Sequence, residues 1–169
     1  MNKETEPRFH VYKSPIGNIR IQVKDGKILV IEFREVDDPL DSFATKADEQ
    51  TFLKCCIQLD EYFCGKRMDF SVPLQANGTD FQKSVWHELS KIPFGKTVSY
   101  MDIARKLHNP GSIRAVGSAN GKNPVSIIIP CHRVIGSDGS LTGYGGGLWR
   151  KKWLLDHENK VANGLQSLF

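Results

Sequence analysis

The sequence of 169 residues has no long hydrophobic run, and this absence excludes several classes of protein. A helix that crosses a bilayer needs ~18 or more consecutive apolar residues, and no window of the chain provides them. The opening residues, MNKETEPRFH, have neither the apolar core nor the small-residue cleavage site of a secretory signal peptide. We therefore expect a cytoplasmic protein with one ordinary domain or two small ones.

Cysteine is also scarce, and the four that are present form no recognisable metal framework. Zinc sites use paired Cys-x-x-Cys or Cys/His ligands, which the sequence lacks. Cys55, Cys56 and Cys64 lie in TFLKCCIQLDEYFCG, a stretch whose apolar residues, Cys55 and Cys56 among them, recur at helical spacing, and free cysteine packs as a small hydrophobe. We expect these three to be free thiols in the core, and we expect no bound metal.

Basic residues give the chain a net charge of +4, and the surplus lies in its second half. Residues 1–77 contain 11 Lys and Arg against 13 Asp and Glu, whereas residues 78–169 contain 12 against 6. The segment PLQANGT has the composition of a linker. We predict one domain at 1–77 and a second at 78–169, the second being suited to a polyanion.

Turn signals divide the start of the chain into three short strands. FHVYK, IRIQVK and KILVIEF are alternating or apolar, and SPIGN and DG separate them, which is typical of an antiparallel meander. An acidic loop leads to the helix that contains the cysteines, and RMDFSVP follows as one more extended segment ending at Pro73. The first half is therefore predicted to be a small antiparallel sheet plus a helix.

The second half is predicted to be mostly helical. DFQKSVWHELSKI begins at Thr79 or Asp80 as its N-cap. Its predicted buried residues are Phe81, Val85, Trp86 and Leu89. Ser99 is the cap of a second helix, YMDIARKL, and Ser112 the cap of a third, SIRAVGSANG, before a last helix, LWRKKWLLDHE. The Gly-containing break between the second and third helices indicates a helix-turn-helix, although an ordinary helical hairpin has the same pattern.

The third helix has few long side chains with which to contact base edges in a major groove. Ala115, Gly117 and Ser118 are small and permit close backbone approach, which favours contact with the DNA backbone or the minor groove. Arg114 is the one long side chain able to enter the base stack.

IPCHRV, residues 129–134, follows a strand-like apolar run at 127–129 and places a thiol beside an imidazole. Pro130 cannot continue strand pairing, so Cys131 is predicted at a sharp turn, with His132 reaching it directly or through one water. A carboxylate should orient the imidazole, and Glu158 is favoured over Asp156. Residue types alone leave an inert core cysteine equally open.

The motifs around IPCHRV form a long series. FQKSVWHELSKIPFGKTVSYMDIA, RAVGSANGKNPV, the GYGGG segment, LLDHE and the N-terminal QLDEYFCGKRMDF occur in order over most of the chain. The sequence resembles the O6-alkylguanine-DNA alkyltransferases, the methylated-DNA–protein-cysteine methyltransferases. The resemblance implies an α+β fold with a winged-helix-like DNA-binding motif. It also implies irreversible, single-turnover transfer of the alkyl group from O6-alkylguanine, and from O4-alkylthymine, in flipped-out duplex DNA to a cysteine.

The same resemblance implies a role for each matching residue. Cys131 is the alkyl acceptor, His132 the water-mediated general base, and Glu158 the carboxylate that holds His132. Tyr100 hydrogen-bonds the guanine and assists its departure, and Asn123 is the hinge asparagine. No cofactor or metal is implied, and the protein is expected to be a monomer, with cooperative binding on DNA left open.

Further residues are matched to DNA and to the substrate pocket. By resemblance, Arg114 fills the gap left by the extruded nucleotide. Ala115, Gly117 and Ser118 of the same helix are expected to contact the DNA beside it. The pocket residues implied are Ser126, Val134, Tyr144, Gly145 and Gly146. Some family members have serine where this chain has Gly145 and a second proline where it has Ser126, so the accepted alkyl sizes are left open.

Two other functions fit parts of the pattern. A non-catalytic helix-turn-helix protein that binds DNA or senses damage would not transfer an alkyl group. The family's non-transferring relatives carry tryptophan at the position of Cys131, which argues against that alternative here. A cysteine hydrolase using Cys131 and His132 would turn over repeatedly.

Overall fold

The computed structural model describes residues 9–37 and 39–164 and has an α+β fold, as predicted. The strands are β1 (His10–Ser14), β2 (Gly17–Lys24), β3 (Lys27–Phe33), β4 (Val98–Ser99) and β5 (Val134–Ile135). The helices are α1 (Lys46–Phe63), α2 (Asp80–Leu89), α3 (Tyr100–Lys106), α4 (Ile113–Gly121) and α5 (Leu148–Ala162). Among these helices, none is both long and apolar enough to cross a membrane.

The predicted meander is confirmed as a three-stranded antiparallel sheet in the order β1-β2-β3. Alternation along the strands directs Ile19, Ile21, Ile28 and Ile31 into the core, where all four are fully buried. The edge of β3 also bonds to later parts of the chain: Ile31 N donates to Pro124 O at 2.9 Å, and Ser126 N donates to Ile31 O at 2.9 Å. The N-terminal sheet therefore fixes the segment that precedes Cys131.

RMDFSVP, the predicted extended segment, forms no regular strand. Its contribution to the sheet is a single bridge between Ile28 and Leu74, one residue beyond Pro73. Ile28 N donates to Pro73 O at 2.9 Å, so the proline contributes its carbonyl oxygen where it has no N–H to give. An extended segment that meets the sheet edge at one point forms a bridge without becoming a strand.

Helix α1 packs its apolar side against the sheet, but the prediction for its cysteines was only partly right. Thr45 caps it by accepting from Asp48 N. All four cysteines are free, with Cys55 and Cys131 buried, Cys56 half-buried and Cys64 exposed. Cys64 was predicted to be buried with the other two, but it follows the last residue of α1 as its C-cap and lies outside the helix.

Helix α2 begins after Thr79, which forms a capping box with Gln82. Val85, Trp86 and Leu89 are buried as predicted. Phe81, also predicted to be buried, is 37% exposed because it lies in the first turn, at the surface end of the helix. Trp86 Nε1 donates to Ala119 O at 2.8 Å and so ties α2 to α4.

Helices α3 and α4 form the predicted helix-turn-helix. Ser99 caps α3 in a capping box with Asp102, as predicted. Ser112 is at the N-cap position of α4, as predicted, but its side chain makes no capping hydrogen bond: a 3₁₀ turn at Pro110–Ser112 precedes the helix, and the Ser112 hydroxyl donates to Asn109 O at 2.7 Å. Strands β4 and β5 pair in parallel beside α3.

The apolar run at 127–129 is a turn and not the predicted strand. Ile127 has a φ of +71°, a left-handed conformation that strands do not use. Ile127 and Ile129 are nevertheless buried, at 1% and 5% exposure. The run anchors the segment in the core, as its composition indicated, but through a compact turn.

Candidate active site and DNA-binding surface

Cys131 begins a 3₁₀ turn, Cys131–Arg133, directly after Pro130. Its N–H donates to Ile129 O at 2.8 Å, which closes a tight bend at the end of the apolar segment. The side chain is 5% exposed and lines a cavity of about 290 Å³. The turn breaks the alternation of a strand, so consecutive side chains need not point to opposite faces.

His132 and Glu158 form a fully buried pair. His132 Nε2 lies 2.7 Å from Glu158 Oε1, and the two side chains are 0% and 1% exposed. Helix α5 supplies Glu158 from its third turn. Asp156, the competing candidate, is exposed and pairs with Lys152 at 2.7 Å.

Glu158 accepts hydrogen bonds from several further donors. Arg133 bonds both of its oxygens, with Nε 2.9 Å from Oε2 and Nη2 2.9 Å from Oε1. Tyr62 donates its hydroxyl to Oε1 at 2.8 Å, and Gly95 N donates to Oε2 at 3.2 Å. Burial by itself would raise the pKa of Glu158, but the hydrogen bonds and charges of His132 and Arg133 outweigh it and hold that pKa well below its usual value.

The protonation states suit a base-assisted thiol. Burial raises the pKa of Cys131, although the neighbouring Asn123 amide and the charge of Lys151 oppose the rise. Burial lowers the pKa of His132 despite its bond to Glu158, so the imidazole is neutral at neutral pH. With Nε2 donating to the carboxylate, Nδ1 carries the lone pair, and it has no hydrogen-bond partner within residues 9–37 and 39–164.

Asn123 holds the turn before the cysteine. Its Nδ2 donates to Ile129 O at 2.7 Å, and its Oδ1 accepts from Val125 N at 3.0 Å. Asn120 Nδ2 lies 3.4 Å from Cys131 O. These amides replace the strand hydrogen bonds that a turn at this position lacks.

The cavity is lined by four of the five predicted pocket residues, Ser126, Tyr144, Gly145 and Gly146. Val134, the fifth, is fully buried in β5, where it pairs with Val98, and it does not line the cavity. Because β5 begins immediately after the 3₁₀ turn, its first side chain enters the core behind Cys131.

The cavity also has a wall that sequence reasoning missed. Arg20, Val30, Glu32 and Phe33, from strands β2 and β3, line it from the N-terminal side. Phe33 lies beside Tyr144, with ring centroids 6.4 Å apart. No local motif indicates this contribution, since it depends on how the sheet meets the second half.

Tyr100 lies at a neighbouring recess, together with Gly117, Thr142 and Tyr144. Its hydroxyl donates to Thr142 O at 3.3 Å. Lys151, fully buried and also missed, donates to Thr142 O at 2.8 Å and lies 5.9 Å from the centre of the Tyr100 ring. The lysine thus connects α5 to the loop beside the cavity.

Helix α4 presents the predicted DNA-contacting residues at the surface. Arg114, Ala115 and Ser118 are exposed, and Gly117 is half-buried. A Cβ at Gly117 would lie 3.9 Å from the Tyr100 ring, an ordinary van der Waals contact, so the packing of α4 against α3 leaves room for a small side chain there. Within the described ranges, no group of three or more His, Cys, Asp or Glu side chains is placed to hold a metal ion.

A thiol that lines a cavity, next to a buried His–Glu pair and beside a helix-turn-helix, is the arrangement expected of a DNA-binding protein that uses a cysteine. Among known protein families, two domain models match the chain, and both describe the same family. The family of 6-O-methylguanine DNA methyltransferases matches through its ribonuclease-like domain at residues 8–76 and its DNA-binding domain at residues 80–160. The chain belongs to this family.

Similar proteins match over nearly their whole length. The methylated-DNA–protein-cysteine methyltransferase of Mycobacterium bovis is 43% identical over 163 residues, covering 95% of this chain and 98% of the relative. That of Methanosarcina acetivorans is 42% identical, covering 89% and 97%. The crystal structure of Mycobacterium tuberculosis OGT in complex with DNA superposes with a TM-score of 0.81 at 41% identity, covering 91% of this chain and 94% of that one.

Proposed function

We propose that the protein repairs DNA by direct reversal, transferring the alkyl group of O6-alkylguanine to Sγ of Cys131. The chain is an enzyme of the methylated-DNA–protein-cysteine methyltransferase class. Two observations together support Cys131 as the acceptor. Its thiol lines the cavity, and the next residue, His132, forms a buried pair with Glu158. O4-alkylthymine is proposed as a second substrate.

The proposed reaction begins with a proton transfer. The Cys131 thiol is protonated at rest, and His132 Nδ1 accepts its proton, directly or through a water. Glu158, held in place by its donors, stabilises the imidazolium that forms. The thiolate then attacks the alkyl carbon.

The transfer itself exchanges one bond for another. A bond forms between Sγ and the alkyl carbon, while the bond from that carbon to guanine O6 breaks and its electron pair goes to the guanine. Tyr100 is proposed to donate a hydrogen bond that stabilises this negative charge. The guanine becomes a neutral base when it takes up one proton, which balances the proton that His132 removed from the thiol. Because a thioether is stable, the protein reacts once.

The proposed partner is duplex DNA. Mycobacterium tuberculosis OGT, which this chain resembles, was crystallised with DNA. The exposed positions of Arg114, Ala115 and Ser118 on α4 support contact with the phosphate backbone, and Arg114 would fill the space of the extruded base. We propose that residues 78–169 bind DNA and carry the acceptor, that residues 1–77 support them, and that a cytoplasmic monomer does this work.

Intact-mass spectrometry after incubation with excess O6-methylguanine duplex tests the proposal. We expect each molecule to gain one methyl group in place of one hydrogen, with peptide mapping locating it on Cys131. Cys131→Ser is the control and should fold, bind DNA and stay unmodified. An unmodified wild-type protein would favour the non-catalytic DNA-binding alternative, and repeated turnover would favour a hydrolase.

A further inference from the structure

Tyr62, a residue of the N-terminal half, reaches the centre of the site. It lies in α1, its side chain is fully buried, and its hydroxyl donates to Glu158 Oε1 at 2.8 Å. Its ring packs against Phe70, Phe94 and His157, with centroids 5.6, 6.0 and 5.4 Å away. His157 Nε2 also lies 2.8 Å from Tyr62 O. The hydroxyl is therefore fixed in direction as well as in distance.

The oxygen that Tyr62 bonds is the one that also holds the imidazole. Glu158 Oε1 accepts from His132 Nε2 at 2.7 Å, from Arg133 Nη2 at 2.9 Å and from the Tyr62 hydroxyl at 2.8 Å. Burial and the neighbouring carboxylate raise the pKa of Tyr62 well above its usual value. The phenol therefore remains a hydrogen-bond donor over the whole pH range in which the imidazole titrates.

We propose that Tyr62 is a positioning residue of the alkyl transfer: it fixes Glu158 and limits the pull of that carboxylate on the proton of His132. The inference rests on the function proposed above. Each donor to Oε1 disperses part of the carboxylate's negative charge, which weakens its stabilisation of an imidazolium. The imidazole is then more often neutral and able to accept the proton of the thiol.

The groups that face the pair allow the contribution of Tyr62 to be separated. The charges that act on His132 are those of Glu158 and Lys151 of α5 and of Arg133 in its own turn. Apart from the imidazole, Glu158 faces Arg133, Tyr62 and the N–H at position 95. Removing the Tyr62 hydroxyl leaves the other charges in place. Oε1 becomes a stronger acceptor, so the pKa of His132 rises.

Tyr62→Phe tests the proposal, with Tyr12→Phe as a matched control. The Tyr12 hydroxyl also donates to a carboxylate, Asp60 Oδ1 at 2.6 Å, and its side chain is 8% exposed, but it lies in β1 and does not contact the pair. Single-turnover transfer is measured from the lowest pH at which the protein stays folded up to about pH 7.5, because burial lowers the pKa of His132 below the usual imidazole value of about 6.5. The ratio of the rate at the lower pH to that at the higher pH should fall about threefold in Tyr62→Phe and stay unchanged in Tyr12→Phe.

A second variant keeps the aromatic ring and makes the phenol hydroxyl a stronger hydrogen-bond donor. Replacing Tyr62 with 3-fluorotyrosine should raise the same ratio, and it decides the question if Tyr62→Phe does not fold. Variants that slow transfer equally at both pH values would overturn the positioning role and leave Tyr62 as a packing residue. A wild-type protein that transfers no alkyl group would refute the proposed function itself, which is a separate outcome.

Discussion

Replacing Glu158 with glutamine should destabilise the protein although the side-chain volume hardly changes. The carboxylate is 1% exposed and has a charged partner on each oxygen, since Arg133 bonds both. The amide of glutamine keeps one acceptor oxygen. Its NH₂ group is itself a donor, so it cannot accept a hydrogen bond from the donors that face it. Either the imidazole or the buried guanidinium, which is 6% exposed, then loses its acceptor.

The expected loss of stability follows from that unpaired charge. Removing one partner of a buried ion pair costs about 3–5 kcal/mol of unfolding free energy. For a chain of this size, each kcal/mol lowers the melting temperature by roughly 2–4 °C, so we expect a fall of about 6–20 °C. The rate of alkyl transfer should fall as well, because Glu158 no longer stabilises the imidazolium.

Urea unfolding and calorimetry of the free protein provide the assay. Asp156→Asn is the control: it removes an exposed ion pair with Lys152 from the same helix and should cost less than about 1 kcal/mol. Because the folded pKa of Glu158 is depressed, its contribution is present above the unfolded carboxyl pKa of about 4.3 and is lost as the pH falls through the folded value. The deficit of Glu158→Gln should therefore be constant from about pH 5 to pH 8 and shrink in acid. A deficit no larger than that of Asp156→Asn would refute the reasoning.

Two predictions concern DNA. Arg114→Ala should slow repair in duplex DNA about tenfold or more while leaving reaction with free O6-benzylguanine nearly unchanged, because only the duplex has a stack to open; equal losses in both assays would contradict the intercalating role. Binding to undamaged duplex, followed by fluorescence anisotropy, should weaken as salt rises from about 50 to 200 mM, since phosphate contacts by Lys and Arg release counterions. An affinity independent of salt would contradict a basic DNA-binding surface.

Local signals in the sequence were enough to predict most of the helices and strands. Turn residues located the meander. Thr79 and Ser99 located the starts of two helices, because the capping hydroxyl accepts a hydrogen bond from the backbone N–H three residues later, which is a local interaction. The predictions that were wrong concern residues whose environment is set at a distance. An apolar run such as 127–129 indicates burial equally well in a strand or in a turn, and the φ of Ile127 decides between them.

The same distinction between local and distant signals applies to the residues of the site. Cys131 and His132 are adjacent, and Glu158 lies in a helix whose motif is readable, so this group could be proposed from the sequence. Tyr62 could not, because it lies 96 positions from Glu158 and nothing near it differs from ordinary core packing. Lys151 was missed for the same reason, since a lysine in a helix is ordinarily exposed and this one is fully buried.

The hydrogen bonds between the edge of β3 and residues 124–126 bear on how the two halves can be exchanged or dissected. A chimera that takes its first 77 residues from another family member would receive a different support for the cysteine turn, a different cavity wall and, through α1, a different neighbour for Glu158. The two halves of the sequence therefore both contribute side chains to one site. We expect them to unfold together in a single thermal transition.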